Sequence, residues 1–302
     1  MRTNTRKALL FIGLTFLFSY LLATLFYLAG GRWNTPAATL VGVGYMFIPM
    51  IMAIIVHKVI YKEPLKAPLG ISWRFNRWWL VAWLLPPIVA FATLGVSLLF
   101  PVIEYSPEMA GIFEMFEGVL PPEQLLQMEN QMDAFPIHVI WISLLQGLIA
   151  GITINAVAGF GEELGWRGLL QREFGHLGFW KSSALIGIIW GIWHAPMILQ
   201  GHNYPQYPVA GVFMMIGWCM LLAPIFSYVR LKAKSVIAAA IIHGSLNGTA
   251  GLSIMLVKGG NDLIVGVTGA AGFIVLAIVN LLIFLFDRKT GEPVTIPAGS
   301  AR

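Results

Sequence analysis

The sequence predicts an all-α, polytopic membrane protein of about eight transmembrane helices, and two observations carry the prediction. Of 302 residues, 58% are hydrophobic and only 11% are charged, too few polar side chains to coat a water-soluble globule of this length. The apolar residues also fall into stretches of roughly 20, the length that crosses a hydrocarbon layer. These stretches recur along nearly the whole chain and leave little room for a soluble domain, so 1–302 reads as one transmembrane domain.

The first apolar stretch is 8–29. Arg2, Arg6 and Lys7 precede it as they would a signal peptide, but its run exceeds a signal h-region and no small-x-small cleavage site follows, so it is read as a retained helix. Further stretches at 38–60, 79–100, 137–160, 183–199, 209–229, 236–257 and 263–286 suit helices. The long 102–136 connection carries Glu104, Glu108, Glu114, Glu117, Glu123, Glu129 and Asp133 with no Lys or Arg. Its Phe113, Met115, Phe116, Leu125, Leu126 and Met128 suggest an interfacial amphipathic piece. The segment 287–302, with its Pro and Gly, reads as a flexible cytoplasmic tail.

Counting Lys and Arg on alternating sides tests the helix number. One side holds 17 of them, at 2, 6, 7, 58, 62, 66, 74, 77, 167, 172, 181, 230, 232, 234, 288, 289 and 302; the other holds 2, Arg32 and Lys258. A helix wrongly added midway would destroy this bias, so the chain is expected in the cell membrane with both termini cytoplasmic and the acidic connection outside. The net charge of +5 is scattered between apolar runs, which speaks against a nucleic-acid partner and for membrane lipid. Cys219 is the only cysteine, which excludes an intramolecular disulfide and any multi-cysteine zinc motif.

Ionisable groups within the hydrocarbon layer are costly and point to function. Three clusters stand out: Glu162-Glu163-Leu164-Gly165-Trp166-Arg167, Trp190-Gly191-Ile192-Trp193-His194 and His243-Gly244-Ser245-Leu246-Asn247. Glu163 precedes Arg167 by four residues, the favourable order for a helical ion pair, while Glu162 points about 100° away and is free to face a water. Trp190 lies one turn before His194 and can brace its ring, and Pro196 invites a kink just beyond. His243 and Asn247 are four apart and present donors on one face that could grip an oxyanion. At about 1.5 Å per residue from the cytoplasmic ends, all three clusters can meet at one depth, about 14 to 20 Å in.

In this order, Glu-Glu-x-x-x-Arg, aromatic-x-x-x-His and His-x-x-x-Asn resemble the family of type II CAAX prenyl endopeptidases and bacterial bacteriocin-processing and immunity proteins. The string Gly161 to Gly168 is similar to the common bacterial form of the first motif. The family core would span about 137–257. The resemblance implies an eight-helix bundle whose site opens to the cytoplasm, with Glu162 and His194 activating water, and His243 and Asn247 stabilising the oxyanion. Trp190 stands where the family usually has Phe, which should change pocket shape more than chemistry.

Taken singly, Glu163 with Arg167 reads as a structural ion pair, each histidine as a packing residue, Asn247 as interhelical glue and Ser245 as a small packing residue without a role. His57, His138, His176 and His202 lie near helix ends or in loops, where solvated histidines are ordinary, and most Trp and Phe read as lipid-facing or interface anchors. There is no His-Glu-x-x-His, Gly-x-Ser-Gly or intramembrane Asp pair. The reading is a glutamate-dependent endopeptidase without cofactor, acting on a lipidated or membrane-embedded peptide, with Glu163, Arg167 and Trp190 supporting. Zinc held by Glu162, His194 and His243 is the alternative mechanism. Rivals from other classes are a transporter, in which the same groups would bind a solute or relay protons, and a non-catalytic immunity or scaffold protein.

Overall fold

Period-four burial opens the fold. Helix α1 (Thr5–Leu28) turns Lys7, Phe11, Thr15, Ser19 and Ala23 inward, the spacing that keeps one helical face against its neighbours. The computed structural model describes residues 5–33, 35–111, 113, 121–133 and 136–290; Glu114, Met115, Phe116, Glu117 and the 291–302 part of the tail lie outside the described residues. Helix α2 (Pro36–Ile54) starts where the Thr35 hydroxyl accepts from Ala38 N at 3.3 Å, and continues as a π turn, Ile55–Ile60. Asn76 caps α3 (Arg77–Ser97) by accepting from Trp78 N at 3.0 Å, the local bond that satisfies an orphan N–H.

A two-residue strand β1 (Glu104–Tyr105) and the short helix α4 (Pro122–Asp133) occupy the acidic connection. The expected helix 137–160 is broken. Helix α5 (Val139–Ile152) and helix α6 (Ile154–Glu163, extended through π-helical Leu164–Leu170 and Gln171–Glu173) meet at Thr153 with a 49° bend. Thr153 leaves the helical region at φ −117°, ψ −106°, and its hydroxyl bonds back to Ile149 O at 2.7 Å; such back-bonding bends helices.

The 183–199 stretch is also two pieces, α7 (Phe179–Trp193) and α8 (Ala195–Leu199). Helix α9 (Pro208–Ala233) follows. Helix α10 (Val236–Thr249), capped by Ser235, ends in a 3-10 turn, Ala250–Ser253, so Val257 belongs not to this helix, as expected, but to strand β2 (Val257–Lys258). Helix α11 (Ala270–Thr290) begins seven residues later than expected, at Ala270 rather than 263. Among the described residues six helices are long and apolar enough to cross a membrane, or seven with the bent α5–α6 pair as one span; α7 falls short at 15 residues.

Helix α10 sits at the centre, packed against α3, α5 and α6, while α7 lies along α9 and α2 along α6. Glycines permit this closeness. A Cβ on Gly187 of α7 would lie 2.6 Å from Met220 Cα of α9, and one on Gly248 of α10 would lie 2.5 Å from Gly147 O of α5. Backbones in such contact gain the dispersion that drives helix association in lipid.

Hydrogen bonds and ion pairs sort the connections between the two ends of the bundle. At one end Asn76 Nδ2 donates to Lys232 O, Val236 N to Gly70 O, and Tyr228 OH to Asp287 Oδ1 at 2.9 Å. Lys7, Glu63, Arg172 and Glu173 join there in a network of ion pairs. At the other end β1 pairs antiparallel with β2, Tyr204 OH donates to Thr268 O, and Gln206 N donates to Asp262 Oδ2.

Candidate active site

The site is assembled from α6, α7, α9 and α10. Consecutive residues of α6 point in different directions, so the two carboxylates have different partners. Glu163 Oε1 accepts from Arg167 Nη1 at 3.0 Å, and both side chains are fully buried; the four-residue spacing makes the pair as expected. The same oxygen accepts from His243 Nδ1 of α10 at 2.9 Å. The Arg167 guanidinium lies over the Trp190 and Phe226 rings, 4.5 and 5.0 Å from their centroids, a cation–π arrangement that compensates part of its desolvation.

Glu162 has no cation of its own on the helix. Its Oε2 accepts from Trp190 Nε1 at 2.7 Å and from Trp166 Nε1 at 3.3 Å. Its Oε1 lies 3.9 Å from His243 Nε2, too far for a direct hydrogen bond. The residue is 2% exposed. Because Nδ1 of His243 is committed to Glu163, its other nitrogen is the one turned toward Glu162.

His194 occupies the break between α7 and α8. Its backbone N–H bonds to Gly191 O, three residues back, rather than to Trp190 O. That releases the Trp190 carbonyl, which accepts instead from the His194 ring Nδ1 at 2.8 Å. A ring donating through Nδ1 keeps Nε2 as an acceptor when neutral. Bracing of His194 by Trp190 is thus through the main chain, with the ring centroids 5.7 Å apart. Pro196 lacks the N–H that Ile192 O would receive, and Tyr20 OH of α1 supplies a bond to that carbonyl at 2.7 Å; Tyr45 OH of α2 does the same for Trp193 O at 2.6 Å.

Asn247 stands one turn beyond His243 on α10 but is exposed, whereas His243 is buried. Ser245 packs buried against Gly151. Among the described residues no group of three or more His, Cys, Asp and Glu side chains is disposed to hold a metal ion. Of the Glu162, His194 and His243 set named for zinc, Glu162 Oε2 is held by indoles and both histidines use Nδ1 for other partners, which leaves Glu162 Oε1 and the two Nε2 atoms as the groups that face the site.

Sequence reasoning missed several contributors. Trp166 follows Glu162 by four residues, a spacing that could have revealed it; Tyr20, Tyr45 and Phe226 have no comparable local signal. Trp166, Trp190 and Trp193 are among the largest fully buried side chains rather than lipid anchors. Buried indoles need a partner: Trp166 and Trp190 find it in Glu162, and Trp193 in Ser19 Oγ of α1 at 2.8 Å. His57 is not solvated as expected but 0% exposed, with Nε2 3.1 Å from Pro64 O and 3.6 Å from Glu63.

A polytopic α-helical bundle enclosing a glutamate, an ion pair and two histidines defines a class of membrane protein with a buried polar site. Residues 136–249 match the family model for type II CAAX prenyl endopeptidase Rce1-like proteins. It is 33% identical over 138 residues to CAAX prenyl protease 2 of Methanococcus maripaludis, covering 42% of this chain and 46% of that protein. The chain thus spans about half the length of the curated relative it matches. All three motif clusters fall inside the matched segment.

Proposed function

We propose that this chain is an intramembrane endopeptidase of the CAAX prenyl protease type, hydrolysing a peptide bond in a lipidated or membrane-embedded substrate. The observation that carries this reading is the division of labour between adjacent carboxylates: Glu163 is tied to Arg167 and His243, while Glu162 keeps one oxygen directed toward His243 Nε2. In the proposed reaction Glu162, assisted by His194 Nε2, takes a proton from water as its oxygen bonds to the scissile carbonyl carbon. His243, protonated on both nitrogens so that Nδ1 donates to Glu163 and Nε2 to the substrate, and Asn247 receive the charge that develops on the carbonyl oxygen. Asn247, exposed beyond His243, is where an entering substrate would be met. The C–N bond then breaks and the proton passes to the leaving amine.

The same reading takes the chain as a single domain with eight crossings, the eighth being α7 with α8. The support is that ring contact between Phe179 and Tyr228 holds the start of α7 at the Asp287 end, while Gln206, between α8 and α9, bonds to Asp262 at the opposite end. Both termini then share the cytoplasmic side.

The test is cleavage of a fluorogenic prenylated peptide by the purified protein in detergent. New termini should appear without any gradient, and Glu162→Gln should lower turnover by about 10² to 10⁴-fold, the size of a general-base contribution. Asn247→Ala should reduce kcat more than it raises KM. No cleavage by the wild-type protein, or equal turnover by Glu162→Gln, overturns the reading; solute movement only in sealed vesicles would make the protein a carrier.

A further inference from the structure

A free carboxylate has two equivalent oxygens and turns readily about its last torsion, so a general base needs something to decide which oxygen meets the water. Here both indole N–H groups reach the same atom, Glu162 Oε2, at 2.7 and 3.3 Å. Indole is a donor only, so Oε2 is held as an acceptor and Oε1 is left toward His243 Nε2, 3.9 Å off. Oε1 is therefore the oxygen left to accept from a water.

The nearer indole is itself enclosed. Trp190 is 1% exposed, its face lies under Arg167, and Trp218, Phe226 and His243 surround its edges. Its main chain meanwhile holds His194 through the carbonyl that the helix break releases. One residue therefore touches both groups assigned to water activation: the side chain binds Glu162 and the backbone binds His194.

We propose that Trp190 is a positioning residue that selects Oε1 of Glu162 as the basic oxygen and sets its orientation relative to His194, with Trp166 as a weaker second donor. Phenylalanine, the residue that the family resemblance leads one to expect at this position, has no N–H and cannot do this. The proposal rests on the endopeptidase reading, and its test has one arm independent of cleavage.

Trp190→Phe removes the N–H while keeping a ring over Arg167 and the backbone carbonyl for His194. Turnover should fall about tenfold, the worth of one hydrogen bond to a charged group, with KM within about twofold. The acidic limb of kcat against pH should move to higher pH, because an anion that loses a donor is less favoured. The titratable and charged groups around Glu162, which the variant leaves in place, are Glu163 and Arg167 on its own helix, Tyr45 on α2, Cys219 on α9 and His243 on α10. Trp166→Phe should give a smaller change of the same kind. In protein labelled with 15N-tryptophan, the Trp190 indole proton should resonate downfield and move upfield in Glu162→Gln, whether or not any peptide is cleaved. Unchanged kcat and pH profile in Trp190→Phe, a rise in KM alone, or an indole resonance indifferent to Glu162→Gln would each overturn the assignment. Failure of the wild-type protein to cleave, with the indole shift present, would sink the endopeptidase reading and leave the clamp standing.

Discussion

Glu162 and Glu163 are chemically identical neighbours whose roles are set by what lies one helical turn away. Glu163→Gln leaves Arg167 buried without its counter-charge and His243 Nδ1 without its carboxylate, and breaking a buried ion pair typically costs about 3 to 5 kcal/mol. We expect a large fall in melting temperature in detergent together with loss of activity, whereas Glu162→Gln should melt close to wild type. Equal melting of the two variants would contradict the division. This asymmetry was legible in sequence, because i,i+4 spacing on a helix places Glu163 over Arg167 whatever surrounds it. The two indoles on Glu162 were not, since Trp190 reaches it from another helix 28 residues away, and a Trp in an apolar run looks the same whether it faces lipid or a carboxylate.

Elements were legible as apolar stretches, and Pro196 announced the break beside His194, but the break at Thr153 and the groups that satisfy the freed carbonyls were not legible. Thr153 and His194 interrupt segments whose composition is continuous, because a break is decided by who satisfies the freed carbonyls: Tyr20 and Tyr45 do so for α7 from helices more than a hundred residues away. The ends of α1, α2 and α6 are likewise joined by a contact no local pattern announces. Lys7 Nζ lies 2.8 Å from Glu63 Oε1, and Arg172 Nη1 lies 2.6 Å from Glu63 Oε2. Burial opposes the charge on Glu63, but hydrogen bonds from Lys7 and Arg172 overcome it and hold the carboxyl below its usual range. A carboxylate so depressed stabilises the fold above its unfolded-state pKa, and that contribution is lost as pH falls through the folded-state value. Glu63→Gln should therefore melt below wild type at neutral pH, with the difference narrowing as the solution is acidified past the ordinary carboxylate range. A difference that is constant with pH would mean the pairing contributes nothing through charge.

At the scale of the whole molecule, two lines bear on the proposed topology. Charge counting assigns 17 of 19 Lys and Arg to one side, among them Arg167, which is buried at the site rather than in a connection, and bonds between connections gather Lys7, Arg172, Lys232 and Asp287 at one end and Glu104, Lys258, Gln206 and Asp262 at the other. On the proposed topology the positive-inside rule puts the first end in the cytoplasm. Single cysteines at the exposed positions Lys66, Lys234 and Lys289 should then be shielded from an impermeant thiol reagent added outside intact cells and should label once the membrane is opened. One at exposed Glu123 or Glu129 should label at once. Cys219, fully buried, would first be replaced by Ala so that any signal belongs to the introduced residue. Lys234 and Lys289 bracket α10 and α11 and Lys66 precedes α3, so labelling of any one of them from outside would break the parity on which eight crossings depend. An unlabelled Glu123 with labelled Lys289 would instead invert the whole bundle, and with it the face from which a substrate reaches Glu162.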